Sequence, residues 1–111
     1  MINRRQGLAK RAATVRSMLI QAVRFTFAPE DGDKAEAIFR ELRDASRAEA
    51  GVVAFDVARS AAKPEVFALW EVYRDRAALD LHTATEHFQR LVINGVRQLA
   101  RERAGDVLVP I

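Results

Sequence analysis

The chain has no cysteine, so neither a disulfide nor thiolate chemistry is open to it. It has no apolar run near the roughly 20 residues a membrane span needs, and no apolar segment followed by a small-residue cleavage site. A cytoplasmic protein without a membrane partner is therefore expected. No glycine-rich phosphate loop and no G-x-S-x-G elbow occur. Tryptophan and tyrosine appear once each and histidine twice. All four fall within residues 66–99, VFALWEVYRDRAALDLHTATEHFQRLVINGVRQL. A small-molecule site is most economically placed there. At 111 residues the chain is one domain with a marginal core, and oligomerisation is a common remedy at that size.

Acidic residues are missing from the start of the chain. Residues 1–17 hold Arg4, Arg5, Lys10, Arg11 and Arg16 and no acid, a charge of +5. The other 94 residues hold the remaining 13 of 18 basic side chains against 15 acids, a net of −2. The high isoelectric point belongs to the extension, whereas a nucleic-acid-binding domain carries its basic patch on the fold; no nucleic-acid partner is expected. Three readings of residues 1–17 stay open: a disordered tail or an upstream start with the functional start at Met18, a short packed helix, or an Arg-rich organelle presequence. Residues 18–111 form the domain.

Alternation and helical spacing give the order of elements. Residues 20–27 read as a strand with Val23, Phe25 and Phe27 on one side. After a turn at Pro29 and Gly32, Asp33 opens a helix, with Glu36 completing a capping box. Ala35, Ile38, Phe39, Leu42 and Ala45 form its apolar stripe, and Glu36/Arg40 and Asp44/Arg47 pair along the polar face. Gly51 sits where a left-handed helix end is wanted. Residues 52–60 and 66–73 are antiparallel strands joined by a hairpin loop. Asp75 caps a helix, and Thr85 breaks it and caps a second segment. There Phe88, Leu91, Val92, Gly95, Val96 and Leu99 keep α-helical spacing. Residues 107–111 close the chain as a strand after Gly105. This β-α-β-β-α-β order is an α+β, ferredoxin-like arrangement: a four-stranded antiparallel sheet with both helices on one face.

Two helices cover only one face of such a sheet, yet both faces read as apolar. Phe67, Leu69 and Tyr73 oppose Val66, Ala68, Trp70 and Val72; Val53, Phe55 and Val57 oppose Val52, Ala54 and Ala58. A monomer would expose a large apolar patch, so a symmetric homodimer packing sheet on sheet is expected.

Few residues are equipped for chemistry. His82 suits acid–base work because its ordinary pKa lies near neutrality, or it is a helix-face histidine bonded to a backbone carbonyl. His87, at a helix start, packs, caps or contacts a ligand. On a continuous helix the two histidines point about 140° apart, which speaks against a shared metal; none is expected. Tyr73 faces the side of Phe67 and Leu69 and is placed to orient a phenolic substrate or to reach solvent. Trp70, on the other face, reads as interface core or as a ligand contact. Glu71 is an acid in an apolar strand and needs a partner, with Arg24, Arg74 and His82 as candidates. Arg24 is a salt-bridge partner or a contact for a substrate anion.

FALWEVYRDRAALDLHTATEHFQRL resembles the signature segment of the antibiotic biosynthesis monooxygenase superfamily. Its pattern is an apolar strand with Glu, an aromatic two residues on, and then L-x-x-H-x-x-T-x-H-F. Glu71, Tyr73, Leu79, His82, Thr85, His87 and Phe88 fall on it, and AEAGVVAFDV is similar to the family's EPGCLRYDV at Gly51, Phe55 and Asp56. The resemblance covers residues 18 to about 111. It implies a dimeric α/β barrel of ferredoxin-like protomers, each with a pocket between sheet and helices. His82 and Glu71 would be its polar pair, with Tyr73 and Phe88 lining it. Members include cofactor-independent monooxygenases that oxidise quinols and anthrone-type polyketides with O₂; others degrade haem, isomerise a phosphorylated sugar or have no known activity. The family's usual Trp after the Glu is here Tyr73, and Trp70 lies elsewhere, which argues against a tryptophan-dependent or haem-ruffling mechanism. The expected function is therefore a cofactor-free monooxygenase of an aromatic small molecule, with a non-catalytic ligand-binding or stress-response dimer and a haem protein as alternatives.

Overall fold

The computed structural model describes residues 15–111. Of the expected basic extension, residues 1–14 lie outside the described residues. Four strands, β1 (Leu19–Thr26), β2 (Val52–Arg59), β3 (Val66–Tyr73) and β4 (Glu102–Leu108), form one sheet in the order β2-β3-β1-β4 with every pairing antiparallel. Helix α1 (Gly32–Arg47) follows a short 3₁₀ turn, Pro29–Asp31, after β1. After β3 come α2 (Arg76–Ala84), one turn α3 (Glu86–Phe88), a π-helical run Gln89–Val96 and a last turn α4 (Arg97–Leu99). This is the ferredoxin-like α+β fold. No helix among the described residues is long and apolar enough to cross a membrane.

The helices cover one face. Alternation in β1 and β3 sends Val23, Phe25, Phe67 and Leu69 under them, where they meet Phe39 and Leu42 of α1 and Leu91, Val92 and Val96 of the π run. Phe25, Phe27, Phe39 and Phe67 pack ring on ring, with centroids 5.1 to 5.9 Å apart. Such contacts add to plain area burial because a ring's positive edge meets a negative face. Tyr73, Ala78 and Leu79 make a smaller cluster at the far end.

Several local expectations are corrected. The α1 capping box does not form: Asp31 precedes the helix without a side-chain cap, and the Asp33 carboxylate accepts from Arg59 at 2.9 Å. Arg47 does not pair with Asp44 but ties α1 to β2, donating to the Phe55 carbonyl and to Asp56, each at 2.9 Å. A bulge at the start of β2 pairs Val52 with Tyr73 and Ala54 with Val72, so Val53 is the extra residue and points to solvent, 55% exposed. The final strand begins at Glu102, earlier than residues 107–111. Gly105 lies inside it, opposite Val23, where a Cβ would stand 3.4 Å from Val23 Cγ2.

Two further corrections bear on the site. Gly51 does not adopt a left-handed conformation; it is needed because a Cβ there would fall 2.5 Å from Ala78 Cβ. The last helix does not keep α-helical spacing: the Arg97 N–H reaches the Val92 carbonyl, an i→i−5 bond. Only Leu91, Val92 and Val96 of the six-residue stripe are fully buried. The expected caps do form. Asp75 accepts from the Ala78 N–H at 2.9 Å. Thr85, with extended backbone, accepts from the Phe88 N–H at 3.2 Å and donates to the His82 carbonyl at 2.7 Å.

Candidate functional site

Four segments bring polar groups together on the covered face, beside Phe55 and Phe88. β3 supplies Glu71 and Tyr73, two residues apart and so on one side of the strand. α2 supplies His82, and the break at Thr85 turns the chain so that His87 comes back toward it. The turn between α1 and β2 supplies Glu49, and the Gly51–Ala78 approach lays that turn against the start of α2. The Gly51 carbonyl also accepts from the Arg74 N–H at 2.9 Å.

His82 is the centre. It is 1% exposed and ringed by Phe88 at 5.2 Å, Tyr73 at 5.3 Å, Phe55 at 5.7 Å and His87 at 6.1 Å, centroid to centroid. Its Nδ1 donates to Glu49 Oε2 at 2.8 Å, and His87 Nε2 donates to the same oxygen at 2.8 Å. A carboxylate acceptor fixes the proton on Nδ1, which leaves Nε2 with a free lone pair in the neutral ring. That nitrogen lies 4.0 Å from Glu71 Oε1, and the same Glu71 oxygen accepts from the Tyr73 hydroxyl.

Burial sets the protonation states. It holds His82 below its ordinary pKa, against the upward pull of Glu49, so the ring is a neutral base near pH 7. It pushes Glu71 up to about 7, partly offset by the Tyr73 hydrogen bond and by Arg103. It drives the Tyr73 phenol well above its usual value, with Glu71 adding to the effect, so Tyr73 remains a donor.

Next to this cluster, between sheet and helices, is a cavity of about 20 Å³ lined by Val23, Phe39, Leu69, Glu71, His82 and Phe88 among others. That volume accommodates about one water molecule. Gln21, Arg97 and Arg103 stand at its rim.

Five of the seven residues singled out from sequence thus meet: His82, Glu71, Tyr73, His87 and Phe88. Arg24 and Trp70 do not join them. Strand alternation puts both on the opposite, uncovered face, where they border an open recess of about 450 Å³, and Trp70 is 47% exposed. The partner of Glu71 is Tyr73, with His82 near, while Arg74 pairs with Asp75 at 3.5 Å. Glu49, Arg97 and Arg103 were not anticipated. Glu49 lies in the AEAG stretch, where its charge alone does not set it apart from other surface acids.

The geometry also corrects the expectation that the two histidines diverge. Because the helix breaks between them, Glu49, His82 and His87 each offer a ligand atom within 4.8 Å of the others. Two imidazoles and a carboxylate are a donor set that suits a divalent metal. Here the three groups satisfy one another by hydrogen bonds.

The sequence profile described as antibiotic biosynthesis monooxygenase matches residues 18–92. The chain belongs to that family. Among solved structures, PA3566 from Pseudomonas aeruginosa is 32% identical, with a TM-score of 0.80 over 87% of this chain and 97% of that one. A protein described as an antibiotic biosynthesis monooxygenase is also 32% identical, with a TM-score of 0.78 over 84% of this chain and 98% of its own. One from Bacteroides thetaiotaomicron, described as of unknown function and a possible oxidoreductase, is 26% identical with a TM-score of 0.79, over 86% and 99%. No curated protein matches the chain.

Proposed function

We propose that this family member is a cofactor-independent monooxygenase acting on an electron-rich phenolic, quinol or anthrone-type molecule in the cavity between sheet and helices. The observation that carries the reading is His82: a buried, neutral imidazole with Nδ1 held by Glu49 and Nε2 left without a hydrogen bond beside a small cavity. Nε2 takes a proton from the bound substrate. The resulting carbanion or phenolate reduces O₂ directly. For an anthrone-type CH₂ group, one oxygen atom ends as the new carbonyl and the other leaves as water, so the substrate supplies every electron. The protein contributes a base, a hydrogen bond and exclusion of water. Glu49 is a positioning residue that fixes the tautomer and steadies the imidazolium once formed. Glu71, held by the Tyr73 hydroxyl, supplies a hydrogen bond on the substrate side, and Phe88 walls the cavity beside His82.

The uncovered sheet face supports a homodimer. Trp70, Val107 and Leu108 are exposed there or along its edge strand, and all of β4 is exposed.

The test is oxygen uptake by purified protein with a panel of hydroquinones and anthrones, without added flavin or metal. His82→Ala is expected to abolish uptake while leaving the circular dichroism spectrum unchanged. Uptake that survives the substitution overturns the role of His82. Absence of uptake by the wild type across the panel favours a non-catalytic ligand-binding protein of the same fold.

A further inference from the structure

The rim of the cavity holds two positive charges with no ion-pair partner among the described residues. Arg97 follows the π run, and Arg103 lies in β4 opposite Phe25, on the covered side of the sheet. Each guanidinium lies over an aromatic ring near the opening: Arg97 over Phe88 at 5.7 Å and Arg103 over Phe25 at 5.8 Å. Both side chains are exposed at this rim, and both line the same cavity as His82 and Glu71.

Neither forms an ion pair among the described residues. Arg40, Arg43, Arg47, Arg59, Arg74, Arg76 and Arg90 all do, with acids at 2.8 to 3.5 Å. The acid-free stretch of residues 1–14 has no carboxylate side chain to offer them. Partial burial, and after it the like charge of Arg103, hold Arg97 below its ordinary pKa. The nearest carboxyl inside the cavity, Glu71, is pushed toward its neutral form and is engaged by Tyr73. Glu71, raised to about 7, offsets these two like charges only in part, and an anion from outside relieves the rest.

We infer that Arg97 and Arg103 form an anion-recognition site at the cavity mouth, and that the aromatic ligand of this protein carries a carboxylate next to its phenolic ring. This rests on the proposed function for the place of the ring, and it adds the ligand's charge. Guanidinium groups suit the task because their planar fork meets a carboxylate with two parallel N–H donors. Binding moves the guanidiniums from the faces of Phe88 and Phe25 onto the carboxylate, which widens the opening where the ring must pass. The phenolic oxygen is then directed inward toward His82 Nε2, because the acid end is retained at the rim. Arg24 and Arg101 stand near the same end of the β1/β4 pair, outside the cavity lining, and contribute only a weaker field at longer range.

The test is calorimetric titration under nitrogen with a matched pair of probes, hydroxynaphthoate and the naphthol that lacks its carboxylate. Wild-type protein is expected to bind the carboxylate at least about tenfold more tightly, as charge-assisted hydrogen bonds allow. Arg97→Gln together with Arg103→Gln should bring the ratio of the two affinities to about one, with an unchanged circular dichroism spectrum reporting that the variant is folded. Arg101→Gln should leave the preference in place. Equal wild-type affinity for the two probes, failure to bind either, or an equal effect of Arg101→Gln overturns the inference. Because oxygen is absent, a protein that prefers the carboxylate yet consumes no oxygen in the uptake assay refutes the oxygenase alone.

Discussion

The space beneath the helices has two ends built on opposite rules. At one, Phe25, Phe27, Phe39 and Phe67 interlock with no polar atom among their side chains. At the other, Glu71, Tyr73, His82, Glu49 and His87 put ionisable groups into buried and half-buried positions. The first end stabilises by removing apolar area from water, about 25 cal/mol for each Å². The second disfavours the charged forms of its buried groups, and each must find a hydrogen-bonding partner. The lesson is that this fold puts its stability and its chemistry on the same sheet face, with one small cavity, lined by Phe25 and Phe39 as well as Glu71 and His82, where the two meet.

The largest disturbance expected is at the apolar end. Phe39→Ala should cost about 3–5 kcal/mol in urea unfolding, because the ring's neighbours cannot all close over the cavity. If the surviving folded protein keeps the depressed pKa of His82 by NMR titration, the two ends are independent; a normal histidine titration would join them.

Glu71→Gln tests the polar end through pH. Glu71 is raised from 4.5 to about 7 in the folded state, so the fold favours its protonated form. Its contribution is present at low pH and is lost as pH rises from about 4.5 through about 7. The glutamine variant should therefore be more stable than wild type at pH 8, by up to about 3 kcal/mol, with the gap nearly closed at pH 5. His82 acts in the opposite direction, since its lowered pKa makes the fold lose stability on acidification below about 6.5. Both proteins share that loss, so it cancels. A difference that does not change with pH would remove Glu71 from the set of buried acids.

Gly51→Ala should cost about 1–3 kcal/mol as an overpacking change, and it should shift the His82 ring resonances because Glu49 is levered away. Unfolding with those resonances unmoved would detach the turn from the site. Thr85→Ala is the mildest change, about 1 kcal/mol for a lost cap. Its more telling readout is His87, which should lose its bond to Glu49 if the break straightens.

The sequence was most legible where chemistry repeats at short range. Alternation in β1 and β3, the helical stripe of α1, and the caps at Asp75 and Thr85 are all local patterns, and the β-α-β-β-α-β order follows from them, whereas the bulge at Val53 offsets the start of β2. The site was half legible. Residues on β3 and α2 share an alternation or a helix face, so Glu71, Tyr73 and His82 could be grouped in advance. Glu49 could not, because it sits 33 residues from His82 in a turn with no periodicity, and only the close packing of Gly51 on Ala78 brings it in. Arg97 was hidden for another reason. A π turn adds a residue that α-helical counting does not include, and it rotates everything after it by about 100°. The divergence expected of His82 and His87 failed for a related cause: the angle was computed for an unbroken helix, and the cap at Thr85 breaks it.

β3 is read in two frames. Its odd positions, Phe67, Leu69, Glu71 and Tyr73, furnish the covered side, and its even ones, Ala68, Trp70 and Val72, furnish the other. A single inserted or deleted residue within it would exchange the frames, placing an indole beneath the helices and a carboxyl in the open. Descendants of this chain are free to change the chemistry of either surface by substitution. They are not free to change the length of the strand that both surfaces share, and gaps in a lineage should collect in the hairpin at residues 60–65 and avoid residues 66–73.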